Sequence, residues 1–495
     1  MTLGKLILIV AAIALAITGL MRWRTQRITN LPLSFLQNFA GVLFIISGWV
    51  KAIDPMGTAY KMEQYFAEFE SAFSGAWLSF IAPLFPWLAE RYAVHFAVGM
   101  IVFEIVLGVM LIIGAYRRFT AWAFLLLVVF FTFLTGFTYL TGYVPKGVNF
   151  FQFGQWGPYV ETNMKVTDCG CFGDFIKLKP FTSFLKDVFL LIPGIIFVWA
   201  YRQKHQLFSG GLRNAIVGVS LAATLVYCFS NYVWDEPHID FRPFKIGVDV
   251  AQRKADEASA ASEAKPLAYR MTHKKDGKVV ELPIDQYLQV YAQYPESEWD
   301  LEQIKEPPAI PTTKISDFEV YDAGGNDVTE AVLSKPGYSF LVIAYKLYGT
   351  ESAAVRTVKD SIFVTDTVVT ANGPRANYRL VEVKDREEEV KTYAWDESYL
   401  NKWRKRVLPA LLEAKAAGQS VTVLTAYTDA ARIESFRQAL GLDGVEFFTG
   451  DDIMLKTILR SNPGPMLMQQ GLIVHKWHHR KLPSYADIKA QYMAQ

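Results

Sequence analysis

The stretch YAVHFAVGMIVFEIVLGVMLIIG, residues 92–114, decides the class of this protein, because it is long and apolar and contains a single carboxylate, Glu104. A membrane-spanning helix needs roughly 17–25 mostly apolar residues. Five other segments approach that length, at residues 3–21, 33–50, 120–140, 184–201 and 213–232. The sequence therefore predicts an integral membrane protein that contacts the lipid bilayer through six helices.

The two halves of the 495-residue chain differ in composition. Residues 1–234 contain 17 Lys and Arg against 10 Asp and Glu, whereas residues 235–495 contain 33 and 38. The formal net charge is only +2 and there is no long basic run, which excludes a nucleic-acid surface. This composition indicates a membrane half followed by a separate water-soluble half.

Basic residues in alternate loops predict the orientation of the helices, because Lys and Arg near helix ends mark the cytoplasmic side. The basic loops contain Arg22, Arg24 and Arg27, then Arg117 and Arg118, then Arg202, Lys204 and Arg213. With those loops inside, residues 51–91, residues 141–183 and everything after residue 232 lie outside. In a double-membrane bacterium this pattern predicts a multi-pass inner-membrane protein whose carboxy-terminal domain is periplasmic.

The soluble half shows alternating strand and helix patterns. An Ala-, Lys- and Glu-rich stretch at 251–265 is typical of a linker or a solvated helix. From about residue 311 the pattern predicts a strand YSFLVIAY (338–345), a helix near 351–360 and a long helix at 398–417, followed by further strands and helices. This alternation predicts an α/β domain.

The most specific local motif is DCGCFGD, residues 168–174, in a loop predicted to lie outside. The Cα atoms of a disulfide lie about 4.4–6.8 Å apart, which Cys169 and Cys171 reach only in a bent backbone, so their disulfide would be strained and labile. We therefore predict a thiol–disulfide exchange pair, with a static staple or one edge of a metal site as alternatives. A metal site has little support, because the motif offers only two thiolates and no histidine is nearby.

Two further side chains are candidates for the site. Cys228 lies close to the outer end of the last helix, where it is either a third thiol or a small apolar packing residue. Glu104 lies in the middle of a helix, and a carboxylate at membrane depth usually faces a partner or a polar cavity. Both are therefore weaker candidates beside the cysteine pair.

The membrane half resembles the DoxX/MauE group of membrane proteins. The resemblance rests on SGWVKAIDPMG (47–57), on the helix with Glu104 and Gly108, and on CGCFGD, and it covers about residues 30–205. It implies a four-helix core, with residues 1–29 as an extra anchor and residues 206–234 as a last transmembrane helix. MauE-like members are linked to disulfides of an exported enzyme subunit and to a thioredoxin-like partner. This implies a redox-associated role for Cys169 and Cys171.

The soluble half resembles a thioredoxin fold. The run RSNPGPMLMQQG (460–471) is similar to the loop, proline and strand that precede the final hairpin of that fold, which places Pro463 at the cis-proline position with Asn462 before it. A working thioredoxin needs a Cys-x-x-Cys at its first helix, and YKLYGTESAA (345–354) contains none. We expect a linker and small β/α region at 235–310 and a thioredoxin-like domain without its own dithiol at 311–495.

The preferred hypothesis is periplasmic thiol–disulfide exchange through Cys169 and Cys171, with the thioredoxin-like domain binding a protein partner or client. The alternatives are a non-enzymatic scaffold for an envelope complex and a small-solute or proton pathway around Glu104. The sequence requires no cofactor and predicts no metal. A quinone enters as electron acceptor only by analogy with other redox proteins.

Overall fold

The computed structural model describes two compact units of the chain. The described residues are 2–25, 30–75, 79–164, 166, 170–275, 277–370 and 373–493. One unit comprises Met1–Asp317 together with Thr457–Ser461, and the other comprises Phe318–Lys456 together with Asn462–Gln495. Each unit has its own core and is described by itself.

Seven helices build the membrane part of the first unit, and six helical segments are long and apolar enough to span a bilayer, as predicted. Their bounds are α1 Leu3–Thr25, α2 Leu31–Ile53, α3 Pro55–Ser74, α4 Leu84–Ile113, α5 Arg117–Thr141, α6 Pro180–Trp199 and α7 Gly210–Phe229. The remaining helix, α3, lies within residues 51–91, which the basic loops predict to lie outside the membrane. It begins at Pro55, and the Asp54 carboxylate caps it by accepting a 3.0 Å hydrogen bond from the Gly57 backbone amide.

Close packing of α2 on α4 forms the centre of the bundle. Gly41 and Gly108 face each other there, since a Cβ atom on Gly41 would lie 2.8 Å from the Gly108 carbonyl and one on Gly108 would lie 2.7 Å from the Gly41 carbonyl. Small residues allow such close approach of membrane helices. Large apolar side chains such as Phe133, Phe189 and Trp199 remain exposed on the outer surface, where lipid would cover them.

The first unit continues beyond the last membrane helix into a small α/β element. It contains α8 Val250–Glu263, β1 Pro266–His273, β2 Val279–Pro283, α9 Ile284–Val290 and β3 Trp299–Lys305. The three strands form an antiparallel sheet in the order β2-β1-β3. Glu257 of α8 holds the end of this element by accepting hydrogen bonds from Thr313 and Ser316.

The second unit is a mixed α/β domain, which confirms the α/β prediction for this region. Its elements are β4 Val320–Tyr321, α10 Thr329–Leu333, β5 Tyr338–Ile343, β6 Gly349–Thr370, β7 Gly373–Trp395, α11 Glu397–Lys402, α12 Leu408–Ala416, β8 Ser420–Thr425, α13 Ala430–Leu440, β9 Glu446–Gly450, α14 Asp452–Ile458, β10 Gly464–Gln469, β11 Leu472–Lys476 and α15 Tyr485–Tyr492. The first residues of α14 belong to this unit and its last two to the other. Buried side chains of the sheet, α11, α12, α13 and α15 form one core around Trp403 and Phe436.

The central sheet has the strand order β11-β10-β5-β8-β9-β4. Strands β5, β8 and β9 are parallel, while β10, β11 and the short β4 run antiparallel to their neighbours. Residues 339–343 of β5 are buried inside this sheet, where the sequence predicts a strand. The Asn462–Pro463 peptide bond immediately before β10 is cis.

The prediction of a helix near 351–360 is wrong. These residues belong to β6, which pairs with β7 from Gly349 opposite Trp395 to Thr370 opposite Gly373. The run AAVRTVKD supports a helix by its alanines and charges, but the β-branched residues beyond it continue as an alternating strand pattern. The long hairpin therefore replaces the predicted helix between β5 and α11.

Candidate functional site

The loop between α5 and α6 carries the cysteine motif. Cys169 and Asp168 lie outside the described residues, whereas Cys171 is half-buried at the end of the membrane bundle. Gly170 has a φ of 63°, a left-handed conformation that favours glycine. The Ser47 hydroxyl of α2 donates a 3.0 Å hydrogen bond to the Cys171 carbonyl. This contact fixes the loop backbone over the last turns of α2.

A buried ion pair lies beneath the loop. The Lys51 ammonium, in the last turn of α2, contacts the Glu104 carboxylate in the middle of α4, and each side chain is 3% exposed. The Lys51 Nζ also lies 5.3 Å from the centroid of the Phe131 ring on α5. The carboxylate at membrane depth therefore has a cationic partner on the neighbouring helix, which offsets part of its desolvation.

A second ion pair lies on α6, where the carboxylate is buried and the lysine is partly exposed. The Lys186 ammonium contacts the Asp187 carboxylate, whose side chain is 1% exposed. Thr135 of α5 donates a 3.1 Å hydrogen bond to Asp187 Oδ2. The Lys186 Nζ lies 6.0 Å from the centroid of the Phe172 ring, one residue beyond Cys171. Two ammonium–carboxylate pairs thus flank the cysteine loop.

Both pairs and Cys171 line one small cavity of about 20 Å³. Its polar lining comprises Ser47, Lys51, Glu104, Lys186 and Asp187. A neighbouring cavity of the same size is lined by Lys51, Thr135 and Cys171 among others. A space of this size holds about one water molecule. The cavity therefore has donors and acceptors for moving a proton but does not fit a quinone ring.

Part of the membrane region matches a known protein family. Residues 29–145 match the family described as Methylamine utilisation protein MauE. The membrane region contains a MauE domain. The MauE match includes Lys51 and Glu104 but ends before Cys171, Lys186 and Asp187. No curated protein and no solved structure matches the chain.

The third cysteine is separated from this cavity by its packing. Cys228 of α7 is completely buried in an apolar cluster with Ala52, Val98, Ile101 and Val102. It is not among the residues that line the two small cavities. The described contacts of Cys228 are those of a small apolar packing residue.

The proline loop of the α/β domain is held internally. The Tyr399 hydroxyl donates a 3.1 Å hydrogen bond to Asn462 Oδ1, and Asn462 Nδ2 donates a 2.7 Å hydrogen bond to the Lys346 carbonyl. Asn462 and Pro463 are both buried. The Asn462 amide thus orients the loop within its own domain.

A second charged cluster lies near the start of α3. Asp54 accepts hydrogen bonds of 2.9 and 3.0 Å from Arg460 Nε, and Arg460 also lies 3.9 Å from Asp174 of the cysteine loop. Arg242 pairs with Asp240 and is 2% exposed. Burial acts to raise the pKa of Asp54, but the charge and hydrogen bonds of Arg460, together with the charge of Arg242, outweigh it and lower that pKa.

Sequence reasoning anticipated a partner for Glu104 without naming it. Lys51 follows the apolar segment 33–50, where a lysine usually extends to the headgroups, and no motif marks Lys186 and Asp187. A signal was present, because Glu104 and Asp187 are carboxylates within otherwise apolar segments. A search for a lysine partner of each carboxylate would have pointed to Lys51, in another apolar segment, and to Lys186, beside Asp187.

Proposed function

We propose that this protein is a bacterial inner-membrane redox protein that exchanges disulfides with periplasmic clients through Cys169 and Cys171. The single observation that carries the proposal is the position of Cys171 on a cavity shared with two ammonium–carboxylate pairs whose carboxylates are buried. Ionisable groups at membrane depth are costly and usually serve a function. Lysine ammonium groups beside a thiol favour the thiolate, which is the reactive form in exchange.

The proposed exchange is balanced without an external oxidant. A thiolate of the pair attacks one sulfur of a client disulfide and forms a mixed disulfide, and the second thiol of the pair then displaces the client sulfur. The pair is oxidised to a disulfide and the client is reduced to two thiols. The two protons lost by the pair end on the two client sulfurs, and the reverse reaction oxidises the client. Groups of the small cavity would relay these protons.

The positions of the cysteines support separate roles for the two units, with thiol chemistry in the first and binding in the second. All three cysteines precede residue 235, so any thiol chemistry of this chain belongs to the first unit. The α/β domain has the order β11-β10-β5-β8 in its sheet, which supports a thioredoxin-like fold with two further strands at the edge. We assign it the binding of a partner or client, with Asn462 and Pro463 in the recognition loop.

The orientation of the bundle rests on its basic loops. Asn30 donates a 3.2 Å hydrogen bond to Gln203, and Arg117 Nη1 donates a 3.2 Å hydrogen bond to the Arg202 carbonyl. These contacts join the three loops at one end of the helices. Because basic loops remain on the cytoplasmic side, the opposite end with Cys171 is assigned to the periplasm.

Trapping of thiols in intact cells tests the proposal. Cells that produce the full-length protein are treated with an alkylating mass tag after exposure to an oxidant or a reductant. We expect Cys169 and Cys171 to change together between tagged and untagged forms. Cys169 and Cys171 are also replaced by Ser one at a time. The variant that keeps the attacking cysteine and lacks the resolving one should accumulate a mixed disulfide with the client.

The matched control is Cys228→Ala, which removes a thiol from the apolar cluster and should leave the exchange unchanged. One fixed oxidation state under all conditions would contradict exchange and favour a stapled scaffold. Reaction of the tag only after the inner membrane is permeabilised would contradict the periplasmic location.

A proton pathway is a second candidate, favoured by the buried pair of Lys51 and Glu104. It predicts that Glu104→Gln abolishes a proton-dependent activity while the cysteine pair still cycles. Thiol exchange predicts instead that serine at both cysteines abolishes function while the ion pair is intact.

A further inference from the structure

The end of the bundle opposite the cysteine loop concentrates positive charge. We call it the basic end and define it by Arg117, Arg202, Lys204 and Arg213. Lys204 lies in the loop between α6 and α7 and is 1% exposed, and its Nζ is 3.5 Å from the Arg117 carbonyl and 5.3 Å from the centroid of the Phe197 ring. A lysine buried this deeply normally has an anionic partner.

The segments that form the basic end contain no carboxylate. Residues 1–53, 105–160 and 188–234 contain no Asp or Glu, and these segments supply every loop at this end. The nearest acidic residue after Arg213 follows the helix α7, whose 20 residues span about 30 Å. Burial first, and the charge of Arg117 second, lower the pKa of Lys204 to about 7. The local cations therefore repel one another without compensation from the described chain.

One buried donor at the basic end, Arg117 Nε, also lacks a partner among the described residues. A buried guanidinium N–H of this kind requires a hydrogen-bond acceptor. His205 Nε2 donates a 2.8 Å hydrogen bond to the Ile112 carbonyl, which makes Nδ1 of the neutral ring an acceptor. Exposed aromatic side chains surround the end, including Phe119, Trp122 and Trp199, as expected at the membrane interface.

We propose that the basic end binds the phosphate headgroup of an anionic membrane phospholipid across Arg117, Arg202 and Arg213. Lys204 lies beneath these groups and acts through its charge. The exposed aromatic rings would contact the acyl chains and the glycerol region. Phosphate accepts hydrogen bonds from several guanidinium groups at once, and basic pockets between membrane helices bind such headgroups. This site is independent of the cysteine pair and of the orientation of the bundle.

Thermal unfolding of the purified full-length protein in a nonionic detergent tests the proposal. Short-chain phosphatidylglycerol, short-chain phosphatidylcholine and inorganic phosphate are titrated separately. We expect only phosphatidylglycerol to raise the unfolding temperature in a saturable manner. Lys204→Met keeps an apolar stem against Phe197 and should weaken the apparent affinity by about five-fold, because it removes the cation buried beneath the bound phosphate.

Arg118→Gln is the matched control, because it removes one charge from an exposed residue of the same loop and should preserve the response. Arg213→Gln is a second variant in case Lys204→Met does not fold. An equal response to phosphatidylcholine would overturn the proposal, as would an unchanged response in both Lys204→Met and Arg213→Gln. An equal response to inorganic phosphate would identify a site for solution anions and would likewise overturn the lipid assignment.

Discussion

Replacing Glu104 by Gln should destabilise the membrane bundle by about 3–5 kcal/mol. The variant leaves the Lys51 ammonium in a site where its side chain is 3% exposed, and removal of one partner from a buried ion pair has this effect in other proteins. The attraction that is lost is about 4 kcal/mol for unit charges 4 Å apart at an effective dielectric constant of 20. Two independent arguments thus give the same magnitude.

The assay is thermal unfolding of the full-length protein in one detergent at a fixed scan rate, because membrane proteins often unfold irreversibly. For a unit of this size, 1 kcal/mol corresponds to roughly 2–4 °C. Glu104→Gln should therefore lower the unfolding temperature by about 6–20 °C. A scan at a second rate establishes whether the change is one of rate or of equilibrium.

The double variant Lys51→Met, Glu104→Leu is the decisive control. Apolar replacement of a whole buried pair is often neutral or stabilising, so the double variant should recover most of the stability that Glu104→Gln loses. If the single variant unfolds at the wild-type temperature, the pair is not the buried contact described here. If the double variant is as unstable as the single one, packing at these positions, rather than charge, explains the loss.

Two further predictions concern parts of the fold away from the cavity. Burial acts to raise the pKa of Glu257, but hydrogen bonds from Ser316, Thr313 and Arg253 outweigh it and lower the pKa to about 2. This value lies below the unfolded value of 4.5. The ionised carboxylate therefore stabilises the folded state above pH 4.5, and this stabilisation is lost as the pH falls towards 2. Glu257→Gln should therefore lower the free energy of unfolding of this element by roughly 1–3 kcal/mol near neutral pH. The stability of the variant should also depend less on pH, and hydrogen exchange of the α8 amides measures both effects. Gly108→Leu should separate α2 from α4 and lower the unfolding temperature by more than 5 °C in the detergent assay, since a Cβ atom there would already lie 2.7 Å from a carbonyl; a wild-type unfolding temperature would contradict the close helix contact.

The membrane helices and the α/β strands were predictable because each has a strong periodic or apolar pattern. The helix predicted near 351–360 was wrong because its residues pair with a strand that begins only at Gly373. The partner of Glu104 was not predictable from either helix alone, because Lys51 precedes it by 53 residues and meets it only through the close packing of α2 and α4. Non-local pairing explains both differences.

The distribution of carboxylates links the two ends of the bundle to different roles. At the cysteine end, Glu104 and Asp187 pair with Lys51 and Lys186, so the cavity carries no permanent net charge while both ammonium groups remain available to stabilise a thiolate. Donors from both lysines can then respond to the thiolate without a permanent net charge in a poorly solvated site. At the basic end no carboxylate is present in the segments that form it, and the proposed lipid phosphate would supply the compensating charge. The paired charges at the cysteine end suit a reaction that forms and consumes a thiolate. The unpaired cations at the basic end suit stable attachment of an anionic headgroup.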